Sequence, residues 1–153
     1  MEGGVSMEPV SKNFVNRCLE LAKKGRAEGG IPISSILVSD GRLIGEGYNQ
    51  RVQQGSPILH GEMDCLNNAG RLASYRNTIL YTSLSPCMMC SGTIVQFKIP
   101  KLVICEKENF PGNVEFLRSH GVEVIVLNDE RFIELMRTFI DENPDLWAED
   151  IFE

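Results

Sequence analysis

Two short runs, taken together and in order, constrain this chain more than anything else in it: His60-Gly61-Glu62, then Ser85-Pro86-Cys87-Met88-Met89-Cys90. Either alone says little. A histidine two residues from a glutamate occurs by chance at many helix starts, and a Cys-x-x-Cys pair serves redox chemistry, a structural metal or nothing. In this order they form a donor set. Cysteines three apart on a helix share a face, so both sulfurs can reach one ion. Ser85-Pro86 reads as the N-cap and first position of a helix. Cys87 and Cys90 then lie in its first turn, where the helix dipole favours thiolate over thiol. His60 adds a nitrogen from the start of a neighbouring helix. The fold must bring two helix starts side by side.

Three protein donors leave a tetrahedral ion one short. Structural zinc sites close the shell with protein, whereas catalytic ones leave the fourth position to water. Cys65 lies five residues beyond His60, about 140° around a helix. Cys105 sits mid-strand beside Val103 and Ile104, and His120 lies near a predicted helix end. None is well placed to close the shell, and Cys18, Cys65 and Cys105 read as small core residues. Glu62 gives the open position a use. Residues two apart on a regular helix face nearly opposite ways, so His60 must occupy the frayed start for Glu62 to lean over a metal-held water. Zinc lowers the pKa of such a water to about 7, and a positioned carboxylate can carry its proton to a substrate.

The surrounding pattern is that of an α/β domain. Helical spacing predicts a first helix from Ser11 to about Glu28, stopped by Gly29-Gly30. Ile33–Ser39 and Leu43–Asn49 flank Asp40-Gly41 as a hairpin. A helix over His60–Leu72, a strand over Thr78–Ser83, the Ser85-Pro86 helix and a strand over Lys101–Glu106 follow. Asn113–Ser119 reads as a short helix and Val122–Leu127 as a strand. Asp129 caps a last amphipathic helix carrying Phe132, Met136, Phe139 and Ile140 on one stripe. A hairpin followed by strand–helix alternation predicts a three-layer α/β/α domain with a mixed sheet of about five strands, its later strands parallel.

Length and charge narrow the function. At 153 residues the chain suits one domain over 1–153. No apolar run approaches the roughly 18 residues of a membrane span, and MEGGVSMEPVSKNF lacks the pattern of a secretory leader. Five cysteines, an odd number, suit reduced thiols in the cytoplasm. A net charge of -6 offers nothing to neutralise phosphates, which argues against a nucleic-acid partner and for a small neutral ligand.

With those residues in view, the chain resembles the cytidine-deaminase superfamily, whose signature is H-x-E followed by P-C-x-x-C. Within it the chain is most similar to the fungal-type cytosine deaminases. The likeness runs from about Phe14 to the last residue, through EGGIPI (28–33), GYNQR (47–51), LHGE (59–62), NAGRL (68–72), LYTSLSPCMMC (80–90) and ENF (108–110). Most telling is FIDENPDLWAEDI (139–151), a tail that the superfamily at large lacks. The resemblance implies a zinc ion on His60, Cys87 and Cys90, no further cofactor, and Glu62 as the proton shuttle. It implies that Asn49 and the backbone N–H of Gly61 hold the polar edge of the base. Asp150 would bind the exocyclic amine region, and Phe110 and Trp147 would pack on the ring. It further implies a homodimer in pyrimidine salvage, acting on a small free nucleobase, with 144–153 as a lid over the pocket. Similar enzymes carry an aromatic residue at Val52 and two glycines at Ser34-Ser35, in segments expected near the pocket. The zinc core leaves other amino-heterocycles open, isocytosine and guanine among them, and a structural zinc module without turnover is the alternative from another class.

Overall fold

The computed structural model describes residues 10–153; the expectation of no leader rests mainly on residues 1–9, outside the described residues. Strand alternation builds the layers. In β1 (Ser34–Ser39), β3 (Thr78–Thr82) and β4 (Lys101–Ile104), successive side chains point to opposite faces, and both faces are buried. Ile36, Val38, Ile79, Tyr81 and Val103 pack with Val15, Cys18, Leu19 and Phe132, from α1 (Lys12–Ala27) and α6 (Glu130–Glu142). Leu37, Leu80, Leu102 and Ile104 pack with Cys65, Leu66, Ile94 and Leu117 on the other side. Those come from α3 (Gly61–Ala69), α4 (Met88–Gln96) and α5 (Val114–Ser119).

β2 (Arg42–Tyr48) and β5 (Glu123–Val126) form the edges, in the order β2-β1-β3-β4-β5. β1 is antiparallel to β2 and β3, while β3, β4 and β5 run parallel. This is the predicted three-layer α/β/α arrangement on a mixed five-stranded sheet. Asp40 and Gly41 take φ of 50° and 76°, the left-handed pair that a two-residue hairpin in a twisted sheet requires. Among the described residues, no helix is long and apolar enough to cross a membrane.

Two glycines decide how closely α3 approaches the sheet. A Cβ on Gly47 would lie 2.5 Å from the Cys65 nitrogen, and one on Gly45 would lie 2.6 Å from Ala69 Cβ. The helix therefore lies directly on the edge strand. The Tyr48 N–H donates to Asp64 Oδ2 at 3.1 Å, and Asn68 Nδ2 donates to the Glu46 carbonyl at 2.9 Å. These bonds occupy backbone groups that an edge strand would otherwise expose. At Gly61 the fit is looser, a Cβ there lying 3.0 Å from the Ile33 carbonyl.

The structure corrects the sequence reading in particular places. α3 ends at Ala69 rather than Leu72, because Gly70 takes a φ of 81°. Ser85-Pro86 does not open α4: Cys87 is the N-cap, and Ser85 Oγ donates instead to the Pro111 carbonyl at 3.0 Å. Two helices were not foreseen, α2 (Arg51–Gln54) and α7 (Pro144–Ile151). α6 is therefore not the last helix, and Pro144 begins a new one at its first position, where its missing N–H costs nothing.

Candidate active site

The site lies beyond the carboxyl ends of the parallel strands β3 and β4, between the starts of α3 and α4. His60 and Cys87 are the N-cap residues of those helices, both with extended backbone, and neither side chain caps its own helix. An N-cap side chain ordinarily folds back onto the first-turn N–H groups. These two turn toward a common point instead, where Cys90 joins them from one turn into α4. His60 Nδ1 is 3.5 Å from Cys87 Sγ and 3.9 Å from Cys90 Sγ, and the three donor atoms lie within 4.8 Å of one another. A tetrahedral ion with bonds of about 2.0–2.3 Å separates its ligand atoms by roughly 3.5–3.8 Å. The spacing and the nitrogen–sulfur donor set fit zinc.

Electrostatics agree with a cation between these groups. A hydrogen bond from Cys90 brings the Cys87 thiol down to about 4, against the cost of burial and with help from His60. Cys90 keeps its proton well above the ordinary thiol range, because it is that donor and is buried. Burial pulls the His60 imidazole down, but the Cys87 sulfur and the Asp150 and Glu62 carboxylates together raise it. A dication held at the shared point would favour loss of the second thiol proton and a neutral imidazole. Cys65 and Cys105 lie instead in the apolar clusters on the two faces of the sheet; burial raises the Cys65 thiol, and a hydrogen bond with Cys18 together with burial raises that of Cys105.

Glu62, in the first turn of α3, is 3% exposed, and burial raises its carboxyl to about 7. The Thr82 hydroxyl lies 3.2 Å from its Oε2 and 3.0 Å from the Leu84 carbonyl. The N–H of Gly61, at the first position of α3, has no partner within its own helix.

α7 folds back over these groups. Trp147, Asp150 and Ile151 from α7 line one small cavity with His60, Glu62, Cys87, Phe110, Ile33, Leu84 and Ser85. Phe110 and Trp147 meet edge to face at 6.2 Å. Asn49 is fully buried and reaches the site through Asp150: its Nδ2 donates to Asp150 Oδ1 at 3.1 Å, and its Oδ1 accepts the Arg51 N–H at 3.0 Å. Asp150 Oδ1 is also 3.7 Å from His60 Nε2.

Of the residues singled out from the sequence, His60, Glu62, Cys87, Phe110, Trp147 and Asp150 line this cavity, Cys90 joins the donor cluster, and Asn49 reaches it through Asp150, while Gly61 is not among the lining residues. Sequence reasoning gave no role to Ile33, Thr82, Leu84, Ile151 or Arg51, although each stands inside a quoted motif: EGGIPI, LYTSLSPCMMC, FIDENPDLWAEDI or GYNQR. Ser34 and Ser35, expected near the pocket, spend their hydroxyls elsewhere. Ser34 Oγ donates to the Cys18 carbonyl at 2.5 Å, and Ser35 Oγ to the Tyr81 carbonyl at 2.7 Å. Val52 stands exposed on α2.

Comparison with known proteins agrees with this geometry. Residues 9–106 match the family described as the cytidine and deoxycytidylate deaminase zinc-binding region. The chain is 49% identical over 145 residues to a cytosine deaminase of Candida albicans, covering 93% of this chain and 97% of that one. It is 44% identical over 136 residues to a tRNA-specific adenosine deaminase of Haemophilus influenzae, covering 81% and 79%. The structure of guanine deaminase from Nitrosomonas europaea superposes with a TM-score of 0.71 at 22% identity, covering 88% and 89% of the two chains, a likeness of fold.

Proposed function

The chain belongs to the cytidine and deoxycytidylate deaminase family, and from that premise we propose that it hydrolyses a free pyrimidine base, converting cytosine and water into uracil and ammonia. One observation carries this reading: the His60, Cys87 and Cys90 cluster and the buried Glu62 share a small cavity that α7 covers. His60, Cys87 and Cys90 would hold zinc, which when bound supplies Lewis acidity that makes water a nucleophile near neutral pH. Glu62 takes a proton from the attacking water and passes it to the ring nitrogen beside the amine-bearing carbon. The same carboxyl then moves a proton to the amine, the carbon–nitrogen bond breaks, ammonia leaves, and a carbonyl remains. A carboxyl raised by burial accepts and returns protons near neutrality more readily than a solvated one.

Asp150 accepts from the exocyclic amine, while the Gly61 N–H and Asn49 hold the polar edge of the ring. Phe110 and Trp147 cover its faces, and residues 144–153 act as a lid on one domain spanning 1–153. A free base is favoured over nucleic acid by the net charge of -6 and by Asp145, Glu149 and Asp150 on the covering helix. Five free cysteines suit the reducing cytoplasm, and the family resemblance supports a homodimer acting in pyrimidine salvage.

The test is ammonia release from cytosine, isocytosine, guanine, cytidine, creatinine and tRNA, on protein with one zinc per chain. Cytosine is expected to give the highest kcat/KM, with activity lost on chelation and restored by zinc. A preference for guanine or tRNA overturns the substrate assignment, and a zinc-loaded protein inert on all six overturns the enzyme.

A further inference from the structure

Arg51 stands at the first position of α2 with its side chain only 7% exposed. A buried guanidinium needs partners for its donors, and those of Arg51 divide between two parts of the molecule. Its Nε donates to the Pro57 carbonyl at 3.1 Å, in the loop that leads into His60. Its Nη1 faces α7, 3.4 Å from Asp150 Oδ1 and 3.5 Å from Glu149 Oε2, and its plane lies 5.4 Å from the centre of the Phe152 ring. Its backbone N–H orients Asn49, whose amide donates to the same Asp150 oxygen. One side chain thus ties the loop before a metal ligand to a whole turn of the covering helix.

Charge makes the tie specific. α7 carries Asp145, Glu149 and Asp150 and no cation, and Asp150 is 4% exposed. Among the described residues, the other basic group facing Asp150 is His60, through Nε2 at 3.7 Å. Arg51 is the permanently charged partner of Asp150, at 3.4 Å. Lysine would not replace it, since a point charge cannot reach the Pro57 carbonyl and two carboxylates from one rigid fork.

We infer that Arg51 is a positioning residue, the latch that holds α7 closed over the cavity and aims Asp150 at the substrate amine. The inference deepens the proposed function and rests on it for the identity of the substrate. Loosening the latch lowers the fraction of molecules with a formed site, and apparent affinity falls by that fraction. The reacting groups, Glu62 and the metal ligands, are untouched.

The chain has a single tryptophan, Trp147, on the covering helix, so its fluorescence reports closure independently of any substrate. The experiment compares intact zinc-loaded protein with Arg51→Gln and Arg51→Lys, by acrylamide quenching of Trp147 without ligand and by kcat and KM on cytosine. The expected result for Arg51→Gln is a severalfold rise in quenching and a roughly tenfold rise in KM with kcat kept within about threefold, with Arg51→Lys intermediate. Unchanged quenching with unchanged KM overturns the latch. So does a fall in kcat at constant KM, which would place Arg51 in the chemistry. If Arg51→Gln does not fold, Arg51→Lys is judged by the same readings, and failure of both to fold makes Arg51 a strut rather than a latch. Should intact protein not turn over cytosine, the substrate assignment fails while the quenching comparison still decides the latch.

Discussion

The starts of α3 and α4 and the covering helix α7 form opposite walls of one cavity, yet they are held in different ways. α3 lies on β2 through backbone fit: Gly45 and Gly47 leave no room for a Cβ against Ala69 and Cys65, and Asp64 and Asn68 bond to strand backbone. α7 meets the body through side chains, with Trp147 against Phe110, Met136 and Phe139, and Asp150 against Asn49 and Arg51. The first wall carries groups whose geometry must not change during a reaction. The second covers a cavity that has to admit a substrate and release a product. Backbone fit suits the one, and a few side-chain contacts that can break and re-form suit the other.

The sharpest consequence lies on the rigid wall. Glu62→Gln keeps the shape but cannot accept and return a proton, so it should retain zinc and fold and lose turnover by at least the factor of about 10²–10⁴ that such transfers contribute. Metal analysis, melting temperature and kcat on cytosine, measured together, check it. Near-normal turnover in a verified variant would demand another proton carrier.

On the movable wall, a chain ending at Pro144 should fold, keep its zinc, and lose roughly ten- to a hundredfold in kcat/KM. That loss would match the about 1–3 kcal/mol of ring stacking proposed for Trp147. Loss of zinc on truncation would mean that α7 supports the metal ligands, and the contrast between the walls would collapse.

These two walls were unequally legible in the sequence. His60, Glu62, Cys87 and Cys90 announce themselves because each pair lies within three residues on one helix start, where spacing fixes geometry. Asn49 and Asp150 meet across 101 residues of chain, and no local pattern encodes that meeting; only resemblance pointed to them. Ile33, Leu84 and Ile151 were given no role because an apolar lining residue looks like any core residue. The four residues of α2 are too few to show a period. Pro144 does not announce α7, because proline stops one helix and starts another equally well. The sheet was legible from its short apolar runs and the Asp40-Gly41 turn, since strands buried on both faces show no alternation to read.

Gly47→Ala probes the rigid wall without touching a reacting group. A methyl group 2.5 Å from the Cys65 nitrogen must push α3 off the strand. The expected cost is about 1–3 kcal/mol of stability, as for overpacking elsewhere, with weakened zinc retention because His60 moves with the helix. Denaturant unfolding and zinc content during dialysis read both effects. A variant as stable as the parent, with its zinc in place, would show that α3 can shift freely and that backbone fit does not set the site.

The smallest effects should come from the positions where the chain departs from similar enzymes. Val52 is 42% exposed on α2 and is absent from the cavity wall, so a ring there gains little contact and meets no substrate. Val52→Phe should stay within about 0.5 kcal/mol of the parent, with the ratio of kcat/KM for cytosine over isocytosine and guanine unchanged within roughly twofold. Ser35→Gly differs in one respect. The hydroxyl donates to the Tyr81 carbonyl inside the sheet, so its loss removes a hydrogen bond worth about 0.5–1.5 kcal/mol, and glycine adds about 0.5–1 kcal/mol of chain entropy. Stability should fall while substrate preference stays. A tenfold change in the cytosine ratio from either substitution would mean that the pocket is shaped from behind β1 and α2 rather than by Phe110, Trp147 and Asp150, and selectivity would then have to be sought in the sheet instead of the lid.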